Sequence, residues 1–365
     1  MSETVQETRP RELLRDLVET PSVSGDERAC AERLVAFFEE HDREVWIDDV
    51  GNVRAPADDG VLLTSHIDTV PGDIPVRQET LPPGEVRWGG DNGLEPDEPV
   101  EVLWGRGSVD AKGPLAAMAV AAVRTGASFA GVVAEEVDST GGRHLIETRE
   151  SAPDAVINGE PSGWEGITLG YRGLVAGTYV ATSESGHTSR PENNAIQDAI
   201  AWWANLEAEF DHDEWEPVFE RVTPKPTRID GGLSDDGLSV EATMDVQLRV
   251  PPGTTTEEII EIADGHLDVA DRVNWDDRVE PTMQSPRTSV ARAFRAAIRE
   301  RGGDPRLLRK TGTADMNVYA NAWDCPMVTY GPGDSDLDHA PDEHLVLEEY
   351  DLSVAVLEAV TERLL

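Results

Sequence analysis

The sequence predicts an α/β domain built on a mostly parallel mixed sheet with helices on both faces, together with an inserted α+β domain. Two observations lead to this prediction. Short apolar runs alternate with amphipathic helical stretches in both terminal parts of the chain, which is the pattern of a parallel sheet covered by helices. Residues 174–285 follow a strand–helix order of their own and are numerous enough for a separate domain.

The N-terminal elements follow from the spacing of apolar residues. Residues 11–20 and 27–40 have the spacing of amphipathic helices. Residues 44–55 alternate like a pair of strands around a Gly-Asn turn, and VLLTS at 61–65 is typical of a buried strand. A polar loop rich in glycine and proline is expected over residues 71–100.

Acidic residues follow the next predicted strands. After a small-residue helix at 115–126, the segments 129–138 and 152–162 each contain an apolar run that leads into carboxylates. The carboxyl ends of parallel strands lie at one edge of a sheet, where ligands bind. We therefore expect these carboxylates to meet at that edge.

The rest of the chain supplies the inserted domain and the last helices. The expected strands are 174–184, 238–252 and 325–333, and the expected helices are 195–210, 255–267, 288–303 and 347–365. Two strands and two helices within 174–285 predict an α+β arrangement there.

The composition is strongly acidic. The 365 residues include 31 basic and 72 acidic ones, which gives a formal net charge of −41. Such a density of like charge opposes a compact state at low ionic strength, whereas molar salt shortens the Debye length to ~3 Å and screens the repulsion. We therefore expect a halophilic protein, for which nucleic acid and anionic membranes are poor partners.

The sequence also indicates a compartment. No apolar run approaches the ~18 residues of a membrane span, and the first residues lack the basic and then apolar pattern of a secretory signal. Cys30 and Cys325 are too few for a disulfide framework. These features predict a cytoplasmic protein.

A histidine and an aspartate follow the VLLTS strand. His66 and Asp68 are two residues apart, so on an extended chain both side chains face the same side. This stretch alone is equally typical of a strand that simply ends in polar residues. Further residues of the same kind follow other predicted strands, namely Asp110, Glu135, Glu136, Glu160 and His339.

Together these side chains indicate a divalent metal site. Imidazole nitrogens and carboxylate oxygens suit Zn²⁺ or a similar ion, and the number of carboxylates favours two ions over one. Paired ions need a bridging carboxylate, and Asp110 in the glycine-rich GRGSVDAKGP is the candidate. Because Glu135 and Glu136 are neighbours, an extended chain would point them in opposite directions, one as a ligand and the other towards the water of the site.

Five motifs, in order, resemble the M20 family of di-zinc metallopeptidases and amidohydrolases: SHIDTVP, GRGSVDAKGP, AEEVDSTGG, NGEPS and DHAPDE. The resemblance covers nearly the whole chain. It implies a catalytic domain formed by residues 1–173 and 286–365, and a ferredoxin-like lid and dimerisation domain at 174–285. It also implies two divalent ions in each subunit, Zn²⁺ or Co²⁺, and a homodimer.

The resemblance also implies roles for individual residues. One ion would be bound by His66, Asp110 and Glu160, and the other by Asp110, Glu136 and His339. Asp68 would orient His66, and Glu135 would act as the general base. In SESGHTSRPENNA, His187 would donate a hydrogen bond to the oxyanion, often from the partner subunit. The remaining histidines match no motif and are expected at surface or helix positions: His41, His144, His212, His266 and His344.

Substrate contacts are expected from two arginines and one loop. Arg172 in GYRG and Arg249 in QLRVPPG fall where the family has arginines, and a guanidinium suits a substrate carboxylate. In the loop KTGTADMN, Lys310, Thr311 and Gly312 would present further donors to that carboxylate.

The resemblance leaves several substrates open. KTGTADMN most resembles the family members that release lysine or ornithine from the amino-group carrier protein LysW. The first alternative is deacetylation of N-acetylornithine or desuccinylation of succinyl-diaminopimelate, and the second is an M20 carboxypeptidase or dipeptidase. A metal-free binding protein is the third, although every expected ligand is present. Aminopeptidase-like members usually have aspartate where this chain has Glu160, which argues against a tripeptide aminopeptidase.

Overall fold

The chain divides into two compact units. The computed structural model describes residues 9–86, 98–189, 191–213 and 215–365. The first unit comprises the described residues of Met1–Leu169, Gln284–Leu308 and Val318–Leu365, and the second comprises those of Gly170–Met283 and Arg309–Asn317. The predicted inserted domain did not include residues 309–317, which belong to the second unit.

The secondary structure alternates between strands and helices. The strands are β1 (Trp46–Ile47), β2 (Val53–Ala55), β3 (Asp58–His66), β4 (Arg77–Leu81), β5 (Val100–Trp104), β6 (Ala127–Val132), β7 (Val156–Gly159), β8 (Gly166–Tyr171), β9 (Gly173–Glu184), β10 (Thr223–Leu233), β11 (Ser239–Val250), β12 (Arg272–Val279), β13 (Thr282–Met283), β14 (Arg306–Lys310), β15 (Met327–Thr329) and β16 (His344–Val346). The helices are α1 (Pro10–Glu19), α2 (Arg28–Glu40), α3 (Lys112–Thr125), α4 (Thr140–Thr148), α5 (Ala195–Glu209), α6 (Thr256–Asp264), α7 (Ser289–Glu300), α8 (Asp315–Ala322) and α9 (Leu347–Leu364).

The first unit is built on a mixed sheet in the order β1-β2-β6-β3-β7-β15-β8. Its four central strands, β6, β3, β7 and β15, run parallel to one another, and antiparallel strands flank them. Every residue of β6 and β7 is buried, so both faces of the sheet are covered, as is usual for parallel strands. The predicted fold class is confirmed.

The core of the first unit is packed by aliphatic and aromatic side chains of the helices and the sheet. Phe38 of α2 meets Phe129 of β6 with ring centroids 4.9 Å apart, and burying each ring contributes about 1.5–3 kcal/mol. Helix α3, rich in alanine, is buried from Lys112 to Ala122. It ends at Gly126, whose φ of 82° forms a left-handed C-cap.

The second unit is a ferredoxin-like α+β fold, as predicted. Its elements follow the order β9-α5-β10-β11-α6-β12, and its antiparallel sheet has the order β10-β11-β9-β12. Trp202 of α5 stacks on Tyr179 of β9 at 4.8 Å. Each helix begins with a capping box, formed by Asn194 and Gln197 in α5 and by Thr255 and Glu258 in α6.

Several elements lie outside the prediction. The expected loop at 71–100 contains β4, which forms a three-stranded sheet with β5 and β16. β4 reads RQETL and is mostly exposed, so it lacks the alternation that marks a half-buried strand. β10 contains Pro224 and Pro226, which a sheet tolerates at its edge. Among the described residues, no helix combines the length and the apolar character needed to cross a membrane.

Candidate metal centre

All five candidate ligands lie in the first unit, after strands of its sheets or close to them. His66 is the last residue of β3, Glu136 follows β6, and Glu160 follows β7. Asp110 lies between β5 and α3, and His339 precedes β16. Because β3, β6 and β7 are parallel, their carboxyl ends share one edge of the sheet.

The ligand atoms form two groups that share one residue. His66, Asp110 and Glu160 form one group and Asp110, Glu136 and His339 the other, and within each group the candidate ligand atoms lie within 4.8 Å of one another. In the first, His66 Nε2 lies 3.1 Å from Asp110 Oδ1 and 3.7 Å from Glu160 Oε2.

The two oxygens of Asp110 face different histidines. Oδ2 lies 3.2 Å from His339 Nε2, which is in turn 3.0 Å from Glu136 Oε2, whereas Oδ1 faces His66. This is the arrangement that a bridging carboxylate requires. The structure thus brings together all five residues predicted as ligands, and their binding of metal stays a prediction.

Charge is concentrated in this site. The hydrogen bond with Asp110 and the Glu136 charge raise the pKa of His339 to about 9. Burial alone would lower the pKa of His66, but the Glu160 carboxylate and its neighbours raise it well above its usual range. Burial and the charge of Asp110 raise the pKa of Glu136 to about 6. Such a site stabilises positive charge, and its nitrogen and oxygen donors fit a divalent cation.

The side chain of Asp68 has a different partner from the one predicted. His66 Nδ1 is 2.8 Å from the backbone carbonyl of Asp68, whereas the nearest carboxylate oxygen is 3.6 Å away. The fully buried carboxylate accepts from the backbone N–H groups of Glu135 and Glu136, at 3.1 and 3.2 Å, and from the Ser24 hydroxyl at 2.7 Å. Asp68 therefore orients His66 through its backbone and fixes the Glu135–Glu136 turn through its side chain.

The expectation that Glu135 and Glu136 lie on an extended chain is wrong. Strand β6 ends at Val132, and Ala134 has a φ of 59°, a left-handed conformation that non-glycine residues adopt infrequently. The chain therefore turns before the two glutamates. Both become half-buried, and the turn places Glu136 beside His339.

The predicted substrate-binding residues lie in the second unit and differ in their surroundings. The buried Arg172 donates to the carbonyls of Thr311 and Val218 and to the Thr223 hydroxyl, at 3.0, 3.1 and 2.7 Å. Burial and neighbouring arginines lower its pKa to about 10. The Arg172 side chain thus links the segments that contain Thr311, Val218 and Thr223.

Arg249 is much less engaged. The one hydrogen bond of its side chain within the described residues is a long one of 3.5 Å to Thr313 Oγ1, and burial lowers its pKa. Thr311 and Gly312 lie in the loop after β14, and Lys310 is the last residue of that strand. The last residues of KTGTADMN instead begin α8 at Asp315, so the loop is shorter than predicted.

The sequence also led us to expect His187 as an oxyanion donor and His344 at a surface or helix position. His187 is exposed in the second unit, and the backbone N–H of Ser189 donates to its Nδ1 at 3.3 Å. Ser189 Oγ lies 2.8 Å from the same nitrogen and can donate to it or accept from it. A neutral ring whose Nδ1 accepts from Ser189 carries its proton on Nε2. His344 was expected at the surface or on a helix, which is wrong: it is 6% exposed on β16 and stacks on Trp104 at 4.5 Å. A three-residue strand gives too little periodicity to reveal this burial.

A mostly parallel α/β sheet with two histidine–carboxylate groups at its edge and a separate ferredoxin-like unit defines the class of metal-dependent hydrolases. Residues 62–363 match Peptidase family M20/M25/M40. The chain belongs to this family and is a hydrolase.

Relatives of known name extend over nearly the whole chain. The "[LysW]-lysine hydrolase" of Deinococcus radiodurans is 38% identical, with 100% of this chain and 99% of the relative covered. A "Putative [LysW]-lysine/[LysW]-ornithine hydrolase" of Thermococcus kodakarensis is 37% identical, with 97% and 91% covered. Among solved structures, the M20 family metallo-carboxypeptidase Sso-CP2 of Sulfolobus solfataricus matches with a TM-score of 0.74 at 17% identity, covering 98% of this chain and 99% of that chain, which shows a common fold.

Proposed function

We propose that this hydrolase uses two divalent metal ions to cleave an amide bond, releasing lysine or ornithine from the amino-group carrier protein LysW. The observation that carries this proposal is the identity of 37–38%, along nearly the whole chain, with relatives named as [LysW]-lysine and [LysW]-ornithine hydrolases. The two groups that share Asp110 support the metal-dependent part of it.

The side chains of the site fit two ions. His66, Asp110 and Glu160 would hold one ion, and Asp110, Glu136 and His339 the other. When bound, such ions polarise the amide carbonyl and lower the pKa of water. The mixed imidazole and carboxylate set suits Zn²⁺, and Co²⁺ is the alternative.

The protein's own groups move the protons. Glu135 accepts a proton from the attacking water and delivers it to the leaving amine nitrogen as the C–N bond breaks. Its position rests on the hydrogen bond from its own backbone N–H to Asp68. His187 donates from Nε2 to the oxyanion of the tetrahedral intermediate, in the tautomer whose Nδ1 accepts from Ser189.

Arg249 is the strongest candidate for binding the α-carboxylate of the released amino acid. It is partly buried and pairs with no carboxylate among the described residues, although the chain is strongly acidic. Arg172 holds the Thr311 carbonyl and so shapes the loop of Lys310, Thr311 and Gly312. A guanidinium that lacks a protein carboxylate is suited to one supplied by the substrate.

A homodimer assembled through the second unit is also proposed, in a cytoplasm rich in salt. Among the strands that the structure describes, β10 pairs with β11 alone and is an edge strand. Edges of this kind template pairing with another chain. Ile229 and Leu233 on this strand are 54% and 68% exposed, and Leu238 beyond it is 72% exposed. Sedimentation in molar KCl would test this, with a monomer as the contradicting result.

The decisive experiment compares substrates. The chain is assayed in molar KCl with LysW-linked lysine, LysW-linked ornithine, N-acetylornithine and N-succinyl-diaminopimelate, with Glu135→Gln as the inactive control. A higher kcat/KM for either carrier conjugate supports the proposal. A far higher kcat/KM for one of the small acyl substrates would assign the chain to the deacylases instead.

A further inference from the structure

We propose that Glu343 is a positioning residue that fixes Asp110 relative to the His339 loop, and that both metal ions depend on it. Glu343 lies four residues after His339 in DHAPDE and is fully buried. The inference rests on the metal-binding part of the proposed function. It assigns a role to a carboxylate that is not itself one of the candidate ligands.

Both oxygens of Glu343 bind the segment that carries Asp110. Oε1 accepts from the backbone N–H of Val109 at 2.8 Å and from that of Asp110 itself at 3.1 Å. Oε2 accepts from the backbone N–H of Gly107 at 3.1 Å and from Arg106 Nη1 at 2.8 Å. One side chain therefore satisfies three backbone donors of a tight loop and pairs with its arginine.

The charge of Glu343 matters as well as its shape. Burial raises its pKa, and the hydrogen bonds from Val109, Asp110 and Gly107 oppose that rise. Arg106 supplies the compensating positive charge, with only 14% of its side chain exposed. A buried carboxylate with charge-assisted bonds holds backbone groups more firmly than a neutral acceptor does.

The position of Glu343 in the chain gives this contact its functional meaning. Asp110 is the residue common to both groups of candidate ligands, and His339 belongs to one of them. Glu343 joins the loop that carries His339 to the backbone of Asp110. Without this side chain, the Asp110 segment would lose three backbone hydrogen bonds and one ion pair to Glu343, and the shared carboxylate would be held less firmly between the two histidines.

The test measures metal affinity in purified protein without reference to turnover. In Glu343→Gln the side-chain volume is kept, but the amide has one acceptor oxygen, so one of the two pairs of donors meets an NH₂ group. Competition titration of Zn²⁺ against a chromophoric chelator should show affinity about 10- to 100-fold weaker for both ions, the range typical of residues that orient metal ligands.

Glu349→Gln is the matched control. Glu349 is also buried, at 1% exposed, and accepts the backbone N–H groups of Trp164, at 3.0 Å, and of Gly333, but it accepts none of the backbone N–H groups of residues 107–110 that Glu343 holds. Its affinity for Zn²⁺ should stay within about threefold of the wild type. A role of Glu343 in general stability alone would lower the melting temperature of Glu343→Gln and leave its affinity for Zn²⁺ unchanged.

A second variant keeps the inference testable if Glu343→Gln does not fold. Arg106→Gln removes one donor to Oε2 and leaves the three backbone donors in place, so weaker binding of both ions is again expected. Unchanged affinity in whichever of the two variants folds overturns the positioning role. A wild-type chain that takes up no Zn²⁺ overturns the proposed function itself, a result that the two variants cannot mimic.

Discussion

Replacing Glu349 with glutamine should stabilise the protein at alkaline pH, although it removes a buried hydrogen-bonding charge. Glu349 lies in the first turn of α9 and accepts the backbone N–H of Trp164 at 3.0 Å. Burial, together with the nearby Asp334 charge, raises its pKa from the usual 4.5 to about 7, despite opposing hydrogen bonds. A glutamine keeps an acceptor for Trp164 and cannot ionise.

The magnitude follows from the shift in pKa. Because the folded-state pKa is above the unfolded one, the folded state binds the proton more tightly, and this contribution to stability is lost as the pH rises from about 4.5 through 7. A rise from 4.5 to about 7 corresponds to about 3 kcal/mol, most of which falls between pH 5 and pH 9.

Urea unfolding followed by circular dichroism, in molar KCl at pH 5 and at pH 9, measures the effect. The difference in unfolding free energy between Glu349→Gln and the wild type should favour the variant more at pH 9 than at pH 5, by about 2–3 kcal/mol. Titration of other groups is common to both proteins and cancels in this difference. An equal difference at the two pH values would refute the reasoning and show that Glu349 is ionised throughout.

Four further predictions concern the site and the solvent. Glu135→Gln should abolish turnover but still contain both ions when its metal content is measured. Asp110→Ala should lose the ions and the activity together. Loss of metal from both variants would contradict the assignment of Glu135 as the base. His187→Ala should lower kcat by ~10²–10³ at unchanged metal content, and an unaltered kcat would exclude it as the oxyanion donor. Arg249→Met should raise KM by about 10- to 100-fold, since a hydrogen bond to a charged group contributes about 1.5–3 kcal/mol. Arg172→Met should instead mainly lower the melting temperature, because it leaves the buried carbonyls of Thr311 and Val218 without a donor. The melting temperature of the wild type should rise between ~0.1 M and molar KCl, as the Debye length falls from ~10 to ~3 Å, and a constant value would contradict a halophilic protein of net charge −41.

The edge of the sheet at which the candidate ligands meet could be predicted from the sequence, because hydrophobic runs locate strand ends and the residue types indicate the chemistry. The conformation of the Glu135–Glu136 turn could not be, since an alanine gives no sign that its φ will be positive at position 134. The acceptor role of Asp68 was equally hidden, because two of its three partners are backbone N–H groups, which every residue but proline carries.

Exposure explains the other differences between prediction and structure. β4 and β10 present mostly exposed side chains, so burial imposed no alternation on their sequences. Arg172 and Arg249 have the same chemistry in the sequence, and only the fold distinguishes the one bound to Thr311 and Val218 from the other, which makes a single long hydrogen bond.

The assignment of residues 309–317 to the second unit has a consequence for recombination. The chain passes between the units four times, after residues 169, 283, 308 and 317, and not twice as in a simple insertion. Exchanging residues 174–285 alone between relatives would separate Arg249 from the Thr313 of its own lineage, and Arg172 from its own Val218 and Thr223. A functional chimera must therefore take both segments from one parent, with Arg172 included. Residues 309–317 and the larger segment have to be exchanged together.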